Sequence, residues 1–263
     1  MKPRARKSLG QHFLADPNYC RKLARFAQIG PEDTVVEIGP GTGQLTKVLT
    51  TLAQKVIAVE FDSAMVQYLK DHWPDDSSHQ KSRLTLIQAD ILTLDWKTIP
   101  GNSLKVIGNL PYNISTRILK RMTEIKDRFQ SCTVMVQKEV AERIAAAPAS
   151  KDYGYFTLLM EYHFLRVKGF NVPPGVFVPK PKVISHALKL IPRKPPYPVP
   201  DYESFLALLK DAFQQRRKTL WNNLKHNHDP ERLHTALEAC EIEAQARPEA
   251  VTLKQYACLA RML

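Results

Sequence analysis

The sequence predicts an α/β fold on a mostly parallel sheet flanked by helices, followed by a small all-helical domain. Three observations carry this. Short β-branched runs alternate with helical stretches between residues 34 and 136, the pattern of repeated βαβ units. The first of those runs empties into a glycine cluster, Gly39-Pro40-Gly41-Thr42-Gly43. Five prolines at 192, 195, 196, 198 and 200 make a stiff break, and the pattern beyond it is helical.

Asp16-Pro17 offers an N-cap followed by proline at the first helical position, which predicts a helix to about Gln28. Thr34–Ile38 reads as a strand, the glycine cluster as a turn, and about ten helical residues follow. Lys55–Val59 is the second strand, and Asp62 caps a helix to His72. A polar loop from Pro74 to Ser82 leads to strand Leu84–Gln88, which ends at Asp90. Strand Leu104–Gly108 runs into Asn109-Leu110-Pro111-Tyr112, and helix 115–126 and strand Cys132–Val136 close the alternation. Past the prolines, Asp201 caps a helix with apolar residues at Leu206, Leu209 and Phe213, and Thr252 with Gln255 forms a capping box before a last helix. The expected domains are residues 1–194, a proline-rich linker at 195–200, and a helical domain at 201–263.

A chain of 263 residues with 44% hydrophobic and 24% charged residues is too apolar for a disordered protein and long enough for a full core. It contains no 18-residue apolar run and no apolar segment behind its basic start, so a cytoplasmic protein without a membrane partner is expected. Cys20, Cys132, Cys240 and Cys258 show no metal-ligand spacing, and His226 and His228 read as a polar turn, so no metal is expected. Nothing in the cysteine pattern calls for an oxidising compartment. The net charge of +12 is concentrated. Residues 1–25 hold seven basic side chains against Asp16, and residues 165–194 hold seven with no acid. Two such segments favour a polyanion, because neutralised phosphates release counterions.

Every motif falls at the carboxyl end of a predicted strand, where ligands of open α/β sheets bind. The glycine turn lets a backbone approach a ligand closely. Glu60 ends the second strand 21 residues after Gly39, where an acid can accept from both ribose hydroxyls. These two features suit NAD or S-adenosylmethionine alike. Asp90 and the Asn109–Tyr112 group separate them. A carboxylate at Asp90 can accept from an adenine amine. Asn109 and a main-chain carbonyl beside Pro111 can draw on both N–H protons of a planar amino nitrogen, which makes it more pyramidal and more nucleophilic. Tyr112 can stack on the base, and Pro111 stiffens the loop.

The chain resembles the ribosomal RNA adenine N6-dimethyltransferases, in particular those acting on two adjacent adenines near the 3′ end of 16S rRNA. The resemblance rests on Lys7–Leu14, Glu37–Gly43, Asn109–Tyr112, Pro173–Val183 and Phe213–Leu220 with Asn222-Asn223-Leu224. It implies a class I, Rossmann-like S-adenosylmethionine methyltransferase sheet. His12, Leu14, Gly39, Gly41, Glu60, Asp90 and Asn109 would then bind the cofactor. Asn109, Pro111, Tyr112 and Phe177 would form the catalytic group, with Tyr112 and Phe177 sandwiching the adenine. Lys180, Arg216, Arg217 and Lys218 would grip RNA. The family usually has Asn where this chain has His12, so the polar contact there passes to an imidazole. The implied partner is 16S rRNA in an immature small subunit, met by a monomer that takes no DNA. Three other readings share parts of this pattern: a large-subunit rRNA adenine dimethyltransferase, a DNA adenine methyltransferase, which would more usually carry proline where this chain has Leu110, and a ribosome-assembly factor whose catalysis is incidental.

Overall fold

The structure, a computed structural model, describes residues 3, 5, 6, 9–73 and 83–263. Lys2, Arg4, Lys7, Ser8 and the polar loop from Pro74 to Ser82 lie outside the described residues. The chain forms two compact units, one of Met1–Ala141 with Leu165–Pro192 and the other of Glu142–Phe164 with Arg193–Leu263.

The first unit opens with a two-residue strand, β1 (Phe13–Leu14), and helix α1 (Pro17–Phe26). Asp16 caps α1 by accepting from the Asn18 N–H, as its sequence position predicts, and Cys20, Leu23 and Ala24 turn inward. Strand β2 (Thr34–Ile38) ends in the glycine turn, whose Gly43 takes φ 78° before helix α2 (Gln44–Leu52). Strand β3 (Lys55–Glu60) and helix α3 (Ser63–His72) follow, with Asp62 accepting from the Ala64 N–H. Then come β4 (Leu84–Gln88), β5 (Leu104–Asn109), α4 (Ser115–Glu124) and β6 (Phe129–Gln137).

Helices α5 (Lys138–Ile144) and α6 (Tyr155–His163) precede β7 (Phe164–Val172), β8 (Phe177–Val178) and β9 (Ser185–Pro192). The main sheet has the order β4-β3-β2-β5-β6-β9-β7. Strands β2 to β6 pair in parallel, and β9 joins β6 antiparallel. The order reverses between β2 and β5, which puts the ligand-binding crevice outside their carboxyl ends. Those two strands pack closely. A Cβ on Gly108 would lie 2.6 Å from the Ile38 carbonyl oxygen.

β1 and β8 form a separate two-stranded antiparallel sheet, with Phe13 opposite Val178 and Leu14 opposite Phe177. This pairing ties the N-terminal segment beside the crevice. The peptide between Val178 and Pro179 is cis.

In the second unit, α7 (Tyr202–Ala212), α8 (Leu220–Leu224), α9 (Pro230–Ala239) and α10 (Leu253–Met262) follow the prolines. Asp201 and the Thr252–Gln255 capping box start α7 and α10 as their sequence positions predict. The sequence boundary at residue 194 leaves out part of this unit. Tyr153, Leu158 and Tyr162 bury themselves with Phe205, Leu209 and Tyr256 in one apolar cluster, so residues 142–164 belong with the C-terminal helices. Cys240 and Cys258 are joined by a disulfide with Cα atoms 5.7 Å apart, a pairing that their spacing of 18 residues does not announce. Cys20 and Cys132 stay free, and burial pushes both thiols up to about 12. Among the described residues, no helix is long and apolar enough to cross a membrane.

Candidate active site

The carboxyl ends of β2, β3 and β5, the residues after β4 and the N-terminal segment enclose one cavity of ≈ 250 Å³. Nine of the sequence-predicted site residues line it: His12, Leu14, Gly39, Gly41, Glu60, Asp90, Asn109, Pro111 and Tyr112. They come from positions up to 100 residues apart: seven lie at or just after the carboxyl ends of parallel strands, and His12 and Leu14 are brought beside them by the pairing of β1 with β8.

The glycine turn is shaped by backbone that side chains resist. Gly39 takes φ +68° and a Cβ there would meet nothing within 4 Å, so its backbone faces open space. Gly41 takes φ +54° and a Cβ would fall 2.6 Å from the Phe13 ring. The Gly41 N–H donates to Glu60 Oε2 over 3.1 Å, and the Asp62 N–H donates to Glu60 Oε1 over 2.9 Å. Glu60 is thereby fixed at the end of β3. Burial raises its pKa, and these two donors pull it back in part. Asp90 accepts from the Leu92 N–H over 2.9 Å in a tight turn at the rim.

Asn109 is the last residue of β5. Its Nδ2 donates to the main-chain oxygen of His12 over 2.6 Å, while its Oδ1 is buried with no partner among the described residues. A buried acceptor left open is costly unless a ligand fills it. Pro111 follows in the turn, and its carbonyl accepts from the Ile114 N–H over 3.2 Å. The Tyr112 hydroxyl lies 2.5 Å from Ser185 Oγ, and burial raises its pKa.

His12 Nδ1 lies 2.7 Å from the Pro179 carbonyl oxygen. A carbonyl only accepts, so Nδ1 carries the proton. The imidazole also stacks on Tyr112, with centroids 5.3 Å apart and planes at 29°. The residue that departs from the usual Asn therefore covers one face of the tyrosine.

Phe177 is the exception among the sequence-predicted group. It is 2% exposed, packs in the core with Leu23, Leu49 and Met135, and does not line the cavity. Its ring lies in the core and not in the cavity that Tyr112 lines. The register of β8 on β1, which sets Phe177 opposite Leu14, directs the ring into the core.

Lys180 is exposed just after β8. Arg216, Arg217 and Lys218 form an exposed turn between α7 and α8, and Arg216 donates to the carbonyls of Lys151 and Tyr153 over 2.6 and 3.2 Å. The basic run of residues 165–194 is not all surface. Lys189 is buried and donates to Gln28 Oε1 over 2.5 Å, and Arg193 donates to the Glu161 carbonyl.

Glu37, at the head of the Glu37–Gly43 motif, also lines the cavity. It is 1% exposed in β2, and burial with the nearby Glu60 carboxylate pushes its carboxyl up to about 8. An acid inside the apolar run Thr34–Ile38 is its sequence signal. Among the described residues, no three His, Cys, Asp or Glu side chains group to hold a metal.

The sequence model of the family described as ribosomal RNA adenine dimethylase matches residues 2–263. The chain belongs to the ribosomal RNA adenine dimethylase family. It is 39% identical over 268 residues to ribosomal RNA small subunit methyltransferase A of Geobacter metallireducens, covering 99% of this chain and 96% of that one. The Shewanella sediminis protein of the same name is 37% identical over 262 residues, covering 98% and 95%. Among solved structures, a dimethyladenosine transferase from Plasmodium falciparum superposes with TM-score 0.79 at 26% identity, covering 94% of this chain and 96% of that one. As a member of the family, this dimethylase is an S-adenosylmethionine-dependent rRNA adenine dimethyltransferase on an α/β methyltransferase fold. Its cavity suits that cofactor. The space over Gly39 admits a ligand, Glu60 and Asp90 offer carboxylates at the rim, and the open Oδ1 of Asn109 awaits a donor.

Proposed function

We propose that this enzyme transfers methyl groups to N6 of two adjacent adenines in the 3′-terminal hairpin of 16S rRNA, giving N6,N6-dimethyladenosines on an immature small subunit. It acts as a cytoplasmic monomer. The small-subunit names of relatives at 37–39% identity over nearly the whole chain support this over a large-subunit substrate. The observation that carries the chemistry is the buried, open Oδ1 of Asn109 in the same cavity as Tyr112.

Glu60 holds the ribose, Asp90 the adenine ring, and the backbone at Gly39 and Gly41, with His12 and Leu14, the rest of the cofactor. When bound, S-adenosylmethionine supplies an electrophilic methyl group. The target adenine leaves its stack to enter the cavity. Asn109 Oδ1 accepts one N6 proton and the Leu110 carbonyl the other, since the Pro111 carbonyl is already engaged. Both draw the nitrogen lone pair out of the ring. Positioning supplies much of the acceleration. The methylated aminium is acidic and loses its proton to solvent, so no Asp, Glu or His serves as base.

Tyr112 stacks on the base. Because His12 covers one of its faces, the base takes the other. Phe177 could complete a sandwich only by leaving the core, at a cost of about 1.5–3 kcal/mol. Lys180, Arg216, Arg217 and Lys218 grip the RNA backbone.

The test is mass spectrometry of rRNA fragments after isolated small and large subunits are incubated with enzyme and S-adenosylmethionine. Dimethylation of two adjacent adenines near the 3′ end of small-subunit rRNA is expected. Methylation confined to large subunits would sink the reading. A catalytically dead variant that restored normal subunit maturation would favour the assembly-factor role.

A further inference from the structure

Beside the active-site cavity, α1 and α2 enclose a second groove of ≈ 520 Å³. Arg21 and Arg25 from α1 and Lys47 from α2 line it, with Ile29, Val48 and Leu52 as an apolar floor, and no acid is among the lining residues. All three cations are exposed, and Leu52 is 39% exposed. Arg21 and Arg25 stand four residues apart, one above the other on α1. Like charges at that spacing repel, so the helix carries a cost that an anionic partner would remove. Gln44, the first residue of α2, lines both this groove and the active-site cavity.

We infer that the α1–α2 groove is a docking track for the sugar-phosphate backbone of the RNA strand flanking the target adenine. Arg21, Arg25 and Lys47 neutralise successive phosphates, and the apolar floor takes the sugars. Continuity through Gln44 leads the strand from the track to the cavity. The groove thus orients substrate without touching the reacting nitrogen. This inference rests on the rRNA methyltransferase reading, and it adds Lys47, which lies outside both basic sequence segments.

The experiment compares wild type, R21A/R25A/K47A, and the charge-retaining R21K/R25K. Binding of small subunits is measured across salt concentrations, with kcat and KM for methyl transfer and the Kd of S-adenosylmethionine. For the triple variant, KM should rise at least tenfold with kcat within about twofold. The slope of log K against log salt should flatten by roughly 0.7–0.9 for each phosphate no longer neutralised. Cofactor Kd should not move, which certifies that the unit is folded, and R21K/R25K should keep the wild-type slope. An unchanged slope and KM in a cofactor-binding triple variant would overturn the inference, as would loss of slope in R21K/R25K. Absence of rRNA methylation by wild type would instead overturn the functional reading.

Discussion

The side-chain amide nitrogen of Asn109 donates to the main-chain oxygen of His12 over 2.6 Å. With its donor end so tethered, the amide can present only its oxygen to a ligand, and that oxygen is buried and open. The N-terminal segment thereby sets the rotamer of the residue we propose holds the target nitrogen. Asn109→Ala is expected to lower single-turnover methyl transfer by about two to three orders of magnitude, as loss of an oriented polar group in other active sites does. Asn109→Asp should fail as well, because a carboxylate would face the His12 carbonyl. Wild-type rates in either variant would remove Asn109 from its role.

Tyr112 meets Ser185 through its hydroxyl and His12 through its ring. Stacking on a base is worth about 1–3 kcal/mol. Tyr112→Ala should therefore lose roughly 5- to 150-fold in kcat/KM. Tyr112→Phe and Ser185→Ala should stay within a few-fold, since the ring remains. Equal losses in all three would show that the hydroxyl, not the ring, matters.

Glu37 is held protonated by burial, its carboxyl pushed up to about 8 from an ordinary value of 4.5. A carboxyl raised on folding contributes stability that is complete below pH 4.5 and is lost as the pH climbs toward 8. Glu37→Gln abolishes that loss. Its Tm relative to wild type should rise from pH 5 to pH 8. Parallel Tm curves for the two proteins would contradict the assignment.

The glycines of the site are expected to differ by what a methyl group meets. Gly39→Ala faces open space and bears only the left-handed backbone cost, about 1–2 kcal/mol. Gly41→Ala adds a clash with the Phe13 ring, so it should be the less stable of the two in thermal melts. Gly108→Ala, with extended backbone but the Ile38 carbonyl 2.6 Å away, should destabilise by pushing β2 from β5. A Gly41→Ala protein more stable than Gly39→Ala would refute this ordering.

Much of the site is legible in the sequence because a parallel sheet collects strand ends. Gly39, Glu60, Asp90 and Asn109 each close a β-branched run, so finding the runs is enough to bring the four together. Their residue types then carry the chemistry. Phe177 is not legible in this way. Its two-residue strand has too little alternation to reveal a face, and pairing with β1 turns the ring inward. The extent of the helical unit is hidden for a related reason. The apolar residues of α6 suit a sheet-covering helix as well as a helical core, and only their packing with α7 and α10 distinguishes the two.

The strand–helix alternation up to β6, the gathering of strand-end residues in one cleft and the helix caps follow from residue types and their local spacing, since each depends on interactions within a few residues or on one repeated topology. The tether from Asn109 to His12, the imidazole lying over Tyr112 and anchored at Pro179, and the burial of Phe177 do not. They join residues 97, 167 and 163 positions apart. At such separations the partner is chosen by how the finished fold brings backbones together, and no local pattern encodes it.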